Sequence, residues 1–237
     1  LAIYTGRLHA RVFMYQDKEA KTVNASKRAI ELKEANGKID TTFIQGYTGD
    51  CWFLSSLKSM CSNETFLEKI NDMITVNKEN DVIKSITVTL HGKDYTIDYE
   101  NIKGANEYAT GDLDVRALEM AVNQYMHENN LGWGDITLGW GERKSYALLF
   151  GEDNVEVTEY NDKRKFDSEK YLNTLKENNN NEIVSSLGIN AYDDYYDDED
   201  KLYAEDMDGK EVELKFQHSY NYTRIDEKYL YFTDNRR

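Results

Sequence analysis

Along residues 51–61, CWFLSSLKSMC, apolar side chains fall at Phe53, Leu54, Leu57, Met60 and Cys61, the i, i+3, i+4, i+7 spacing of one helical face. The same period recurs over 64–75, with Phe66, Leu67, Ile70 and Ile74, and over 113–128, LDVRALEMAVNQYMHE. A further helix is predicted over 23–36, opened by Asn24 or Ser26 and closed by Gly37, ahead of a loop over 37–50. Between helices the period drops to two: VIKSITVTL and DYTIDY alternate on either side of His91-Gly92-Lys93, a hairpin signal. Residues 131–151 hold five of the chain's 14 glycines and read as a winding loop that ends in a short helix. Beyond them come a predicted helix over 167–178, a turn at 178–181 and the strand-like EIVSSLGI. A hairpin around Asp208-Gly209 follows, then two strands, HSYNYTRID and KYLYFTDN, joined at Asp226-Glu227. The pattern predicts an α+β fold in two parts, helix-led over 1–155 and strand-led over 156–237, with no internal repeat.

Composition narrows the partners. Apolar residues make up 40% of 237, enough for a real core. A net charge of −15 argues against nucleic acid or an anionic membrane surface, and no run approaches the ~18 apolar residues of a membrane span. The charge is uneven: residues 152–237 hold 23 acidic and 12 basic side chains, net −11. Six acids crowd into 193–200, DDYYDDED, which predicts a solvated loop, with cation or basic-substrate binding as the alternative. The first residues lack a signal-peptide order and an initiating Met, as expected of a processed or excised piece. Proline is absent.

Chemistry concentrates in QGYTGDCWFLSSL, residues 45–57. Cys51 and Cys61 on one helix would sit about 15 Å apart, too far for a disulfide. The histidines are His9, His91, His127 and His218, and neither C-x-x-C nor H-E-x-x-H occurs, which argues against zinc. With Asp50 at the N-cap, Cys51 becomes the first helical residue, where the helix dipole favours a thiolate nucleophile. Gln45, folded back across the glycine turn, is a candidate oxyanion-hole donor together with the Cys51 backbone N–H. His218 opens a strand 167 residues downstream and is the candidate general base. Asn235, ending the next predicted strand, is the candidate that orients it. Each has a plainer alternative: a small buried hydrophobe for Cys51, a core histidine for His218, a turn residue for Asn235.

Gln45-Gly46-x-x-Gly49-Asp50-Cys51-Trp52-Phe53-Leu54 resembles the active-site signature of the calpains, cysteine proteases of papain fold. RALEMAVNQY, LGWGERKSYALLFG, QHSYNYTRID and LYFTDN are similar to further calpain segments, so the resemblance touches most of the chain from Ile39 to Asn235. Gln217 stands where the family has a glycine, and Arg236-Arg237 where it has Pro-Trp. The resemblance implies a papain-like two-lobe fold, a helical lobe over 1–155 carrying Gln45 and Cys51, and a β-rich lobe over 156–237 carrying His218 and Asn235. It implies a cysteine endopeptidase acting on protein or peptide substrates through a Cys51-His218-Asn235 triad and a thioester. The rival expectation is a catalytically impaired, protease-derived binding or regulatory module. The family also implies a calcium switch, with Glu119 at the position of a carboxylate ligand. Thr41, Thr42, Phe43 and Ile44 occupy the stretch where its partnering Asp would lie, so the expectation is that no cofactor is required.

Overall fold

The computed structural model describes residues 12–14, 32–152, 161–162, 165–166, 173, 186–189, 203–206, 210–213, 218–225 and 230–234. Helices and strands are mixed, and the architecture is α+β. Strand β1 (Val12–Met14) comes first, then helices α1 (Cys51–Cys61) and α2 (Glu64–Asn71), and an antiparallel meander of β2 (Ile74–Glu79), β3 (Val82–Leu90) and β4 (Lys93–Asp98). Helices α3 (Tyr99–Gly104), α4 (Leu113–Glu128) and α5 (Glu142–Phe150) follow, with a 3₁₀ turn at Ile136–Leu138. The later strands are β5 (Asn161–Asp162), β6 (Lys165–Phe166), β7 (Ser186–Ile189), β8 (Tyr203–Asp206), β9 (Glu211–Glu213), β10 (His218–Ile225) and β11 (Leu230–Asp234).

The expected helices over 51–61 and 113–128 form as read. Helix α1 is buried at Trp52 through Leu57 and again at Ser59, Met60 and Cys61. The buried Ser56 hydroxyl bonds the helix itself, donating to the Trp52 carbonyl at 2.9 Å. Asp112 caps α4 by accepting the Asp114 N–H. The meander turns at Asn80-Asp81 and His91-Gly92, all four with positive φ, the type I′ geometry that matches strand twist. Its apolar face is covered by α3 and α4. The second helix ends at Asn71 rather than 75, because Ile74 opens β2 opposite Val88.

Residues 32–36, expected as the end of a helix, are not helical; the start of that helix lies outside the described residues. Their amides bond elsewhere. Lys33 N–H goes to the Gly111 carbonyl, and those of Asn36 and Gly37 go to the Asp114 carboxylate. A long-range carboxylate thus outcompetes the i−4 carbonyls. The expected helix over 167–178 lies outside the described residues apart from Asn173, and the turn at 178–181 and the acidic run lie wholly outside them.

A larger sheet runs β7-β10-β11-β1-β8-β9. The expected pair at the end of the chain forms as an antiparallel β10–β11 ladder, and β8 pairs antiparallel with β9. Strand β1 lies parallel to both β11 and β8, so this sheet takes a strand from the first residues of the chain. Helix α1 packs on β10 and β7, and on α2 and α5. The N-terminus of a buried helix is therefore set against the strand that begins with His218. No helix among the described residues is long and apolar enough to cross a membrane.

Candidate active site

Residues 45–50 are strapped onto the segment before α4. Tyr47 N–H and Thr48 N–H both reach the Glu107 carbonyl, at 2.8 and 3.3 Å. The glycines permit this approach rather than a left-handed turn, since neither has positive φ. A Cβ on Gly46 would overlap the Glu107 and Tyr108 carbonyls, and one on Gly49 the Thr137 carbonyl. Trp52, fully buried, donates its Nε1–H to the Ile136 carbonyl at 3.1 Å and meets Trp140 edge-on. Ser145 of α5 donates to the Trp52 carbonyl. The glycine-rich stretch at 131–151 and the 45–52 loop therefore brace each other.

Cys51 is the first residue of α1 and half-buried; Asp50 occupies the N-cap as the sequence predicts. Its carbonyl receives the N–H groups of Phe53 and Leu54, but its side chain makes no cap bond. Gln45 is buried beside the loop, with Nε2 donating to the Thr48 carbonyl at 2.7 Å.

His218, also buried, stands at the start of β10. Its Nε2 is 2.8 Å from Asp234 Oδ1, and its ring meets Tyr220 edge-on. The pairing of Tyr220 with Asp234 explains the contact, because His218 and Tyr220 share a face of β10 and Asp234 lies diagonally across from His218. With Nε2 occupied, Nδ1 is the nitrogen left for the Cys51 thiol, which is near enough to act on the ring by hydrogen bonding and charge. Nδ1 does not complete a strict hydrogen bond, so this contact is looser than the one to Asp234. No protein-family model matches the chain, and no curated protein matches it significantly.

Cys51 and His218 lie against each other, while Gln45 is held in the loop ahead of Cys51 by the Thr48 carbonyl. Asn235 lies outside the described residues, and the group on His218 Nε2 is its neighbour Asp234. Sequence reasoning missed Asp234 because the choice between adjacent residues depends on strand register. His91 is remote from this chemistry: its Nε2 contacts the Leu148 carbonyl and its ring stacks on Tyr125. His127 is exposed in the last turn of α4, and His9 lies outside the described residues.

The electrostatics follow from burial and contact. Burial by itself pulls the His218 ring towards neutrality, but the Asp234 and Cys51 contacts outweigh it, and the net shift is upward. Lys58 on α1 is lowered to about 8 by burial, against the pull of Asp234. Cys61 is pushed up to about 12 by burial and by the nearby Asp112 charge.

Glu119 is no ordinary exposed helix residue; it is fully buried, and both of its oxygens face the Ala109 N–H. Among the described residues no group of three or more His, Cys, Asp or Glu is arranged to hold a metal ion. Asp40, the nearest other carboxylate upstream of Gln45, is engaged by Lys33 and by the Thr42 N–H. The donor set does not fit a calcium cage of ~6–8 oxygens built on Glu119 and Asp40.

Proposed function

We propose that this chain is a calpain-like cysteine endopeptidase with a papain-like two-lobe fold. The observation that carries the reading is one line of contacts: Cys51 at the mouth of buried α1, His218 against it, and Asp234 at 2.8 Å behind His218. Nucleophile and base come from a helix and from a separate sheet packed against it, as a two-lobe protease requires.

In this reading Cys51 Sγ gives its proton to His218 Nδ1 and attacks the scissile carbonyl carbon. The oxyanion takes hydrogen bonds from the second Gln45 Nε2–H and from the Cys51 backbone N–H. His218 passes the proton to the leaving amine, the C–N bond breaks, and a thioester remains on Cys51. Water, giving a proton to His218, then releases the acid and restores the thiol. Asp234 accepts the Nε2–H, which fixes the tautomer and keeps Nδ1 on the thiol side.

Hydrolysis of a peptide library tests the proposal. Wild type should cleave, and Cys51→Ala and His218→Ala should not. Cleavage by the Cys51→Ala form would overturn it. Comparing Asp234→Ala with Asn235→Ala assigns the orienting role, and the larger loss is expected at Asp234. A chain whose Cys51 labels readily but which cleaves no peptide is instead a protease-derived binding module, the reading favoured by Arg236-Arg237 in place of Pro-Trp.

A further inference from the structure

Four large apolar side chains are exposed among the described residues: Tyr47, Val82, Trp133 and Leu138. Scattered exposed apolar groups are ordinary on a protein surface, and Val82, opening β3 beside a turn, is one of them. Trp133 lies towards the end of α4, where the next glycine, Gly134, approaches the His127 backbone. Tyr47 and Leu138 differ, because the chain brings both to the mouth of α1. A Cβ built on Gly49 would meet the Thr137 carbonyl oxygen at 2.3 Å, so the two backbones are in contact there. Trp52 Nε1 donates to the adjoining Ile136 carbonyl at 3.1 Å. Tyr47 and Cys51 flank Gly49, each at most about 7 Å of chain from it, and Leu138 directly follows Thr137.

Both side chains stand on anchored backbone. Tyr47 is 83% exposed, yet its N–H is fixed to the Glu107 carbonyl at 2.8 Å. Leu138 is 61% exposed, yet it closes a 3₁₀ turn whose Ile136 is fully buried and whose Thr137 N–H is held by Asp135. Backbone already fixed in this way loses little freedom when a ligand docks, and the apolar area then leaves water.

We propose that Tyr47 and Leu138 form a docking surface for a large apolar side chain of the peptide substrate, beside the scissile bond. The proposal rests on the reading of Cys51 as a peptidase nucleophile and names a substrate class for that site. An extended peptide advances about 3.3 Å per residue, so a side chain within about four residues of the bond at Cys51 reaches both groups.

Charge narrows the class further. Segments 45–50, 105–111 and 131–141, which meet at this mouth, contain Asp50, Glu107 and Asp135 but neither Lys nor Arg. Asp50 is buried and Asp135 is engaged by Thr137, which leaves Glu107 as the exposed charge beside Tyr47. An acidic residue next to the docked side chain would meet that carboxylate, so neutral or basic neighbours are selected.

The experiment titrates the intact chain carrying Cys51→Ala, which binds without turnover, with dye-labelled peptides read by fluorescence anisotropy. One set places Phe at each position in turn along an Ala-Gly-Lys peptide; a matched set places Glu there. At the best position Phe should bind about tenfold tighter than Glu. Adding Tyr47→Ala or Leu138→Ala should remove that preference, whereas Tyr47→Phe, which keeps the ring, and Val82→Ala should retain it. A merely structural role would lower the melting temperature and weaken both sets alike. No preference for Phe, or a preference unchanged by Tyr47→Ala and Leu138→Ala, would overturn the proposal. A dimer that Tyr47→Ala converts to monomer in sedimentation would make a second copy the occupant, which also overturns it. Wild-type hydrolysis of the same peptides is scored separately. Cleavage without the preference removes the docking surface and leaves the protease reading; the preference without cleavage does the reverse.

Discussion

His218 is pulled towards neutrality by burial and towards the charged form by Asp234 and Cys51, and the pull of the partners wins. For a base raised in this way, the stability of the charged contact is complete below the ordinary 6.5 and is lost as pH rises through the folded value. Because His218 must be neutral to take the Cys51 proton, the acid limb of kcat/KM should lie above 6.5 and move down in Asp234→Ala, as a pH–rate profile would register. A limb unmoved by that substitution would remove Asp234 from the role. The two thiols should differ as sharply. Cys61, buried and raised to about 12, should resist iodoacetamide at neutral pH, while half-buried Cys51 reacts; peptide mapping by mass reads the ratio directly. Residue type and spacing were enough to bring forward Cys51 and His218, which lie against each other in the structure. Asp234 was not legible, because the β10–β11 register that brings it to the ring is set between strands rather than by its neighbours in the chain.

At the scale of elements, the 45–50 loop depends on two close backbone approaches. Gly46→Ala puts a methyl group into the Glu107 and Tyr108 carbonyls, and Gly49→Ala into that of Thr137. Backbone gives way less readily than a side chain, so each should lower stability by about 1–3 kcal/mol in denaturant titration and slow Cys51 alkylation. Asp112 caps α4 and also receives the Asp40 N–H, so Asp112→Ala removes a cap and orphans a buried donor. A loss of about 2 kcal/mol in the same titration is expected. The helices at 51–61 and 113–128 were legible because long apolar periods dominate their local choice. The stretch 32–36 was not. Its helical signal is short, and the Asp114 carboxylate, 77 residues from Gly37, takes the amides a helix would use.

Across the whole molecule, α1 is the element on which the rest converges. It touches α2, α5, β7 and β10, and Trp52 at its start joins the glycine-rich stretch to the core. Trp52→Ala should cost about 3–5 kcal/mol, comparable to the full stability of many domains, and thermal melting should show loss of cooperative folding. The net charge of −15 acts on encounter rather than fold. Cleavage of basic peptides should slow with added salt more than cleavage of neutral ones, since screening removes long-range attraction.

The sequence by itself determined the local chemistry: a cysteine at a helix mouth, glycines ahead of it, two long amphipathic helices, and the hairpin at His91-Gly92. Those features depend on neighbours in the chain, where period and capping act directly. Tertiary structure alone decided which carboxylate meets His218, that Glu119 and Asp50 are both buried, and that β1 enters a sheet of strands from the far end of the chain. Each of these depends on register, or on burial between residues distant in sequence. No local period encodes either, because one residue of slip exchanges the faces of a strand.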